Sequence, residues 1–158
     1  MRYIVSAVVI FLIFASCKKD KFTSVPQITF KSITSPYYYD PSPVAKGPIL
    51  TLEVTDAEGD LGFNVGVDSS YIFIKNLKSP FKLDSFRFPA ALANASHKDF
   101  KADVDIDLIG DGFNGGGVLP IIAPNKKDTL FFEVYVTDLK KHKSNVIKTG
   151  DPLYYIRP

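Results

Sequence analysis

A periodicity of two runs through most of the chain after residue 26. Residues 49–55 alternate Leu50, Leu52 and Val54 with Thr51, Glu53 and Thr55, the pattern of a strand with one buried face. Residues 103–109 repeat it: Val104, Ile106 and Leu108 are expected to face inward, and Asp103, Asp105 and Asp107 outward. Residues 129–137 set Leu130, Phe132, Val134 and Val136 on one face. Shorter strands are predicted over 26–33, with Ile28 and Phe30 on one face, and over 70–77, 81–88 and 144–148. Residues 153–156 are expected to pair at a sheet edge. Only the alanine-rich stretch 90–98 has room for a helical turn or two.

The breaks between these segments carry turn chemistry: 56–62, 78–80, the glycine-rich 110–117, Pro124-Asn125 and the charged 139–143. The connection 35–48 holds Pro36, Pro41, Pro43 and Pro48, which keep it out of helices and sheet interiors. Seven or eight strands with turns about every 8–12 residues predict an all-β fold, an antiparallel sandwich. The lack of helical segments between strands speaks against a parallel α/β sheet. A closed barrel is the alternative that the same pattern allows.

The first residues follow another logic. Arg2 supplies a positive charge, residues 3–14 are an apolar run, and Ala15 and Ser16 precede Cys17. That is the order of a signal peptide. The run is too short for the roughly 20 residues of a membrane-spanning helix. Phe14-Ala15-Ser16-Cys17 resembles a bacterial lipobox. The resemblance implies cleavage before Cys17 and attachment of diacylglycerol to its sulfur. Lipidation also accounts for a single cysteine in an exported chain. Lys18 rather than aspartate follows it, which by resemblance to Gram-negative lipoproteins implies the outer membrane, with the periplasmic face and the cell surface both open. The division expected is therefore a signal peptide over 1–16, a lipidated tether over 17–25 and one domain over 26–158.

Composition narrows the function classes. About 140 residues remain after cleavage, one domain with enough chain for a core. The formal net charge is +2, and no long basic block occurs, so the electrostatic footprint of a nucleic-acid binder is missing. His97 and His142 stand in lysine-rich polar segments, outside any metalloprotease or nucleophile-elbow motif. Catalysis finds no support in these residues, and the expectation is a protein that is not an enzyme.

Two clusters carry candidate chemistry. Asp56, Glu58 and Asp60 alternate in a turn, where carboxylates can converge on one hard cation. Asp138, ending another strand, is a fourth candidate ligand, and Asp68 a further one. The spacing is not that of an EF-hand, since Leu61 stands at the glycine position and Val67 at the position of the bidentate glutamate. Ca²⁺ is the candidate ion. The competing reading is a tight turn in which Asp56 caps local N–H groups. The second cluster is Tyr37, Tyr38 and Tyr39, whose rings offer stacking surfaces to a sugar or peptide, or else pack over the sandwich end. Asp105, Asp107 and Asp111 are read as a solvated strand face.

Three segments together resemble a group of Bacteroidetes outer-membrane lipoproteins of unknown function: Val54-Thr-Asp-Ala-Glu-Gly-Asp-Leu-Gly62, Tyr71-Ile-Phe-Ile-Lys75, and Phe132-Glu-Val-Tyr-Val-Thr-Asp138 followed by Lys143-Ser-Asn-Val-Ile-Lys-Thr149. The resemblance covers most of 26–150 and implies an immunoglobulin-like β-sandwich. It carries no activity with it. The expected function is a membrane-anchored, non-catalytic module of the cell envelope, structural or binding an envelope protein. The alternatives are a glycan-binding lipoprotein using the loop tyrosines and a hydrolase accessory protein.

Overall fold

The computed structural model describes residues 22–40, 47–64, 68–78, 83–88, 98–110, 118–120 and 122–158. The leader, Cys17, His97, the 90–97 part of the expected helical turn and the 111–117 part of the glycine-rich loop lie outside the described residues. Those described form an all-β, sandwich-like fold with no helix among them.

Three strands build one sheet: β1 (Gln27–Thr34), β3 (Ile49–Asp56) and β8 (Phe100–Asp107), in the order β1-β3-β8 and antiparallel throughout. Alternation in β3 behaves as the sequence predicts. Leu50, Leu52 and Val54 are fully buried, while Thr51, Glu53 and Thr55 are half-buried on the other face. On that outer face Glu53 lies between Lys31, at 2.6 Å, and Lys101, at 3.5 Å, so one carboxylate ties together all three strands. Ile28 and Ile33 are both buried although five positions apart, which strict alternation forbids. A bulge between Phe30 and Ser32 inserts one residue and restores the inward face.

The second sheet is antiparallel, with β11 (Ile147–Lys148), β10 (Phe132–Thr137), β6 (Tyr71–Asn76) and β7 (Leu83–Arg87) in that order. Its inner face presents Ile72, Ile74, Phe132, Val134 and Val136 to the same hydrophobic core as the first sheet. The short β4 (Phe63–Asn64) and β5 (Asp68–Ser69) pair antiparallel in a two-stranded sheet of their own.

A third sheet joins β2 (Tyr37–Tyr39), β12 (Leu153–Arg157) and β9 (Lys126–Leu130). Two expectations change here. Tyr37–Tyr39 is a strand rather than loop: no proline falls between Pro36 and Pro41, so these residues keep the backbone N–H groups that pairing needs. Residues 153–157 are the middle strand rather than an edge: β12 pairs β2 in parallel and β9 in antiparallel. The predicted strand 129–137 divides at Phe131, so that β9 belongs to this sheet and β10 to the second. Leu130 and Phe132 stay fully buried on either side of the break. This split, with the added strands β2, β4 and β5, gives twelve strand segments among the described residues where seven or eight strands were expected.

Candidate cation site

The site lies where two strands end. Asp56 is the last residue of β3, and the turn after it carries Glu58 and Asp60. Asp138 directly follows β10, and residues 138–142 form the next turn. Backbone bonds hold the two turns together. Leu139 N–H donates to the Asp60 carbonyl at 3.0 Å, while within the second turn Asp138 N–H reaches the His142 carbonyl at 3.2 Å. The chain enters at the same place, since Ala57 N–H donates to the Thr23 carbonyl at 2.9 Å.

This geometry brings Asp56, Asp60 and Asp138 together. One carboxylate oxygen from each lies within 4.8 Å of the other two. Asp56 and Asp138 are fully buried, and Asp60 is partly so. Each has a different set of partners. Asp56 Oδ1 accepts the N–H groups of Glu58 and Gly59, both at 2.7 Å. Gly59 sits at φ 64°, a left-handed conformation that suits glycine. The turn-capping role foreseen for Asp56 is therefore real, but it uses one oxygen only. Asp56 Oδ2 and both oxygens of Asp60 are buried and receive no hydrogen bond. Asp138 Oδ1 accepts His142 N–H at 2.8 Å, and Asp138 Oδ2 lies 2.9 Å from His142 Nδ1. Each of these oxygens keeps further lone-pair capacity.

Electrostatics follow from the packing. Burial pushes the Asp56 carboxyl above its ordinary range. The two turn N–H groups oppose that shift, and the charges of Asp60 and Asp138 add to it. Buried acceptors without donors are rare in folded proteins and are costly. Three carboxylate oxygens within 4.8 Å of one another are close enough to reach one ion, and Ca²⁺ takes oxygen ligands at about 2.3–2.6 Å. The donor set contains oxygen alone, the preference of a hard cation.

Glu58 stands outside this group. Its carboxylate bonds the ammonium of Lys140, which also pairs with Asp60 Oδ2 at 3.5 Å. Lys140 and His142 are two neighbours that the sequence alone did not join to this site. The four-residue spacing of Asp138 and His142 after a strand was the available signal for a closed polar turn. Asp68 lies in β5.

The tyrosines divide by face. Tyr38 points inward, packs against the core and meets Tyr155 at 5.5 Å between ring centroids. Tyr37 and Tyr39 are exposed. Tyr37 stacks on Tyr154, its register partner, at 5.0 Å and 19°. Beside this pair is a groove of about 390 Å³ lined by Lys78, Lys127, Asp128 and Thr129. Asp105 accepts the Thr51 hydroxyl at 2.7 Å, and Asp107 caps its own turn through Ile109 N–H at 3.0 Å. Both are thus engaged locally, and Asp111 lies outside the described residues.

Comparisons of the chain with protein families, with curated proteins and with solved structures find no match.

Proposed function

We propose that this chain is a lipid-anchored, non-catalytic module of the bacterial cell envelope whose sandwich is stapled at one end by a calcium ion. The observation that carries the cation is the set of three buried, donorless oxygens on Asp56 and Asp60 beside the carboxylate of Asp138. A divalent ion would satisfy them together, and would join the ends of β3, the middle strand of the first sheet, and β10, an inner strand of the second. In this reading the ion is structural: it rigidifies the surface that the module presents to an envelope protein.

The anchor rests on the lipobox-like residues before Cys17. Six positions separate Cys17 from Thr23, whose carbonyl is tied to the acidic turn. Six extended residues reach about 20 Å, so the cation site is the membrane-proximal end. An immunoglobulin-like arrangement is supported by the parallel pairing of β2 with β12, which places an early strand beside the last one. Uptake of one Ca²⁺ per chain in equilibrium dialysis, lost in Asp60→Asn, is the expected result. Cys17→Ala is expected to abolish acyl labelling and detergent-phase partitioning.

The exposed Tyr37–Tyr154 stack favours a second reading, in which the groove binds a saccharide. Tyrosine faces suit the apolar face of a sugar ring, and the lysine, aspartate and threonine groups suit its hydroxyls. Binding to a polysaccharide panel, lost in both Tyr37→Ala and Tyr154→Ala, would establish it.

A further inference from the structure

We infer that Lys140 is the built-in counter-ion of the carboxylate group, and that a divalent cation displaces it and recruits Glu58 as a fourth carboxylate ligand. This rests on the calcium reading above and extends it to the ligand set and to what sets the affinity.

Three carboxylates in a buried space repel one another, and some positive charge must compensate them. Lys140 supplies it from the rim. Its ammonium is hydrogen-bonded to Glu58 and makes a longer ion pair with Asp60 Oδ2, at 3.5 Å. The compensation is partial: Asp60 Oδ2 is paired only at 3.5 Å, and Asp60 Oδ1 and Asp56 Oδ2 receive no hydrogen bond. Asp56, fully buried and with one oxygen lacking a hydrogen bond, belongs to the same group. A single, half-exposed ammonium at the edge does not fill a site of this depth.

Exchange of the two cations is easy on the lysine side. The Lys140 side chain is 54% exposed and that of Glu58 37%, so their pairing is of the weak, solvent-screened kind. A divalent ion seated among buried carboxylates gains more, because the surroundings screen it less. Its arrival repels Lys140 and leaves Glu58 without a partner. Glu58 belongs to the same turn, with its backbone N–H fixed on Asp56 Oδ1 at 2.7 Å. Rotation of its side chain alone changes which cation it faces, and the backbone need not move. Calcium takes six to eight oxygens, so a fourth carboxylate fits its demand. Lys140 thus lowers calcium affinity, and it excludes monovalent ions that bring no more charge than it does itself.

Calorimetric titration of the full protein with CaCl₂ tests this, using Lys140→Met, which keeps most of the side-chain stem, Glu58→Gln, and the two combined. Lys140→Met is expected to tighten calcium binding about three- to tenfold. Glu58→Gln is expected to weaken it, and to do so again in the Lys140→Met background. If Glu58 only holds the lysine, Glu58→Gln leaves the affinity of the Lys140→Met protein unchanged, and the inference is overturned. Unchanged or weaker binding in Lys140→Met overturns it as well. Absence of calcium uptake by the unsubstituted protein and by Lys140→Met alike overturns the calcium reading itself, a failure distinct from the other two. Circular dichroism of each variant confirms that the fold is retained.

Discussion

The side-chain amide of Asn145 hydrogen-bonds the backbone of Ile28 in both directions. Asn145 Oδ1 accepts Ile28 N–H at 2.8 Å, and Asn145 Nδ2 donates to the Ile28 carbonyl at 2.9 Å. Ile28 lies in β1, the edge of the first sheet, and Asn145 precedes β11, the edge of the second. One side chain thus acts as a short piece of neighbouring strand and closes a corner of the sandwich. Asn145→Ala leaves two partly buried backbone groups without partners. It should destabilise the protein by about 1–3 kcal/mol in urea unfolding, and Asn145→Asp should not restore the pairing, since its carboxylate lacks the donor.

Asp56 sets a pH dependence of stability. Burial holds its proton in the folded state above the range where the unfolded carboxyl releases it. In that window the native state binds more protons than the unfolded state, so this group's contribution is fully present below the unfolded pKa and is lost as pH rises through the folded pKa. In EDTA, Asp56→Asn should remove this loss, and the stability difference between the parent protein and the variant should move against the parent as pH rises above 4. In saturating Ca²⁺ the sign should reverse, because the ion binds the ionised form. Urea midpoints against pH under both conditions check the two signs.

Tyr155 offers a second, independent titration. Burial pushes its phenol up to about 12, helped by its hydrogen bond to Asp40 Oδ2 at 2.8 Å. Stability should therefore fall between pH 10 and about 12, as the unfolded tyrosine ionises first. Tyr155→Phe should lose that slope and cost about 1 kcal/mol at neutral pH. Absorbance titration of the phenolates, with urea unfolding at each pH, reads both.

The tyrosine strand should separate by face under alanine substitution. Tyr37 makes an exposed cross-strand stack, a pair of the kind that contributes about 0.2–1 kcal/mol. Tyr38 packs on the core, so Tyr38→Ala should cost more, about 2 kcal/mol or above. Thermal unfolding of the two variants gives the order.

Alternation made much of the fold legible. The inward residues of β3, β8 and β10 were identifiable because a strand with one buried face leaves a period of two in any sequence. What escaped was pairing across long separations. Tyr37–Tyr39 finds β12 more than a hundred residues later, and no local pattern encodes that contact. The bulge in β1 interrupts the period itself, and the break at Phe131 leaves the alternation intact while the strand changes sheets. At the candidate site the acidic turn and Asp138 were visible as strand ends rich in carboxylates. The place of Glu58 on the rim was not visible, because it depends on Lys140 arriving from the other turn.

Thermal unfolding of the protein in EDTA and in millimolar Ca²⁺, with Asp60→Asn alongside, decides whether the acidic turn holds an ion. Asp60 is the substitution of choice because neither of its oxygens serves the turn. An ion at about 100 times its dissociation constant stabilises by about 2.7 kcal/mol, which raises the midpoint by several degrees in a domain of this size. With an ion bound, the midpoint rises in the parent protein and the rise is lost in Asp60→Asn. Equal midpoints with and without Ca²⁺ in the parent protein would contradict the calcium reading.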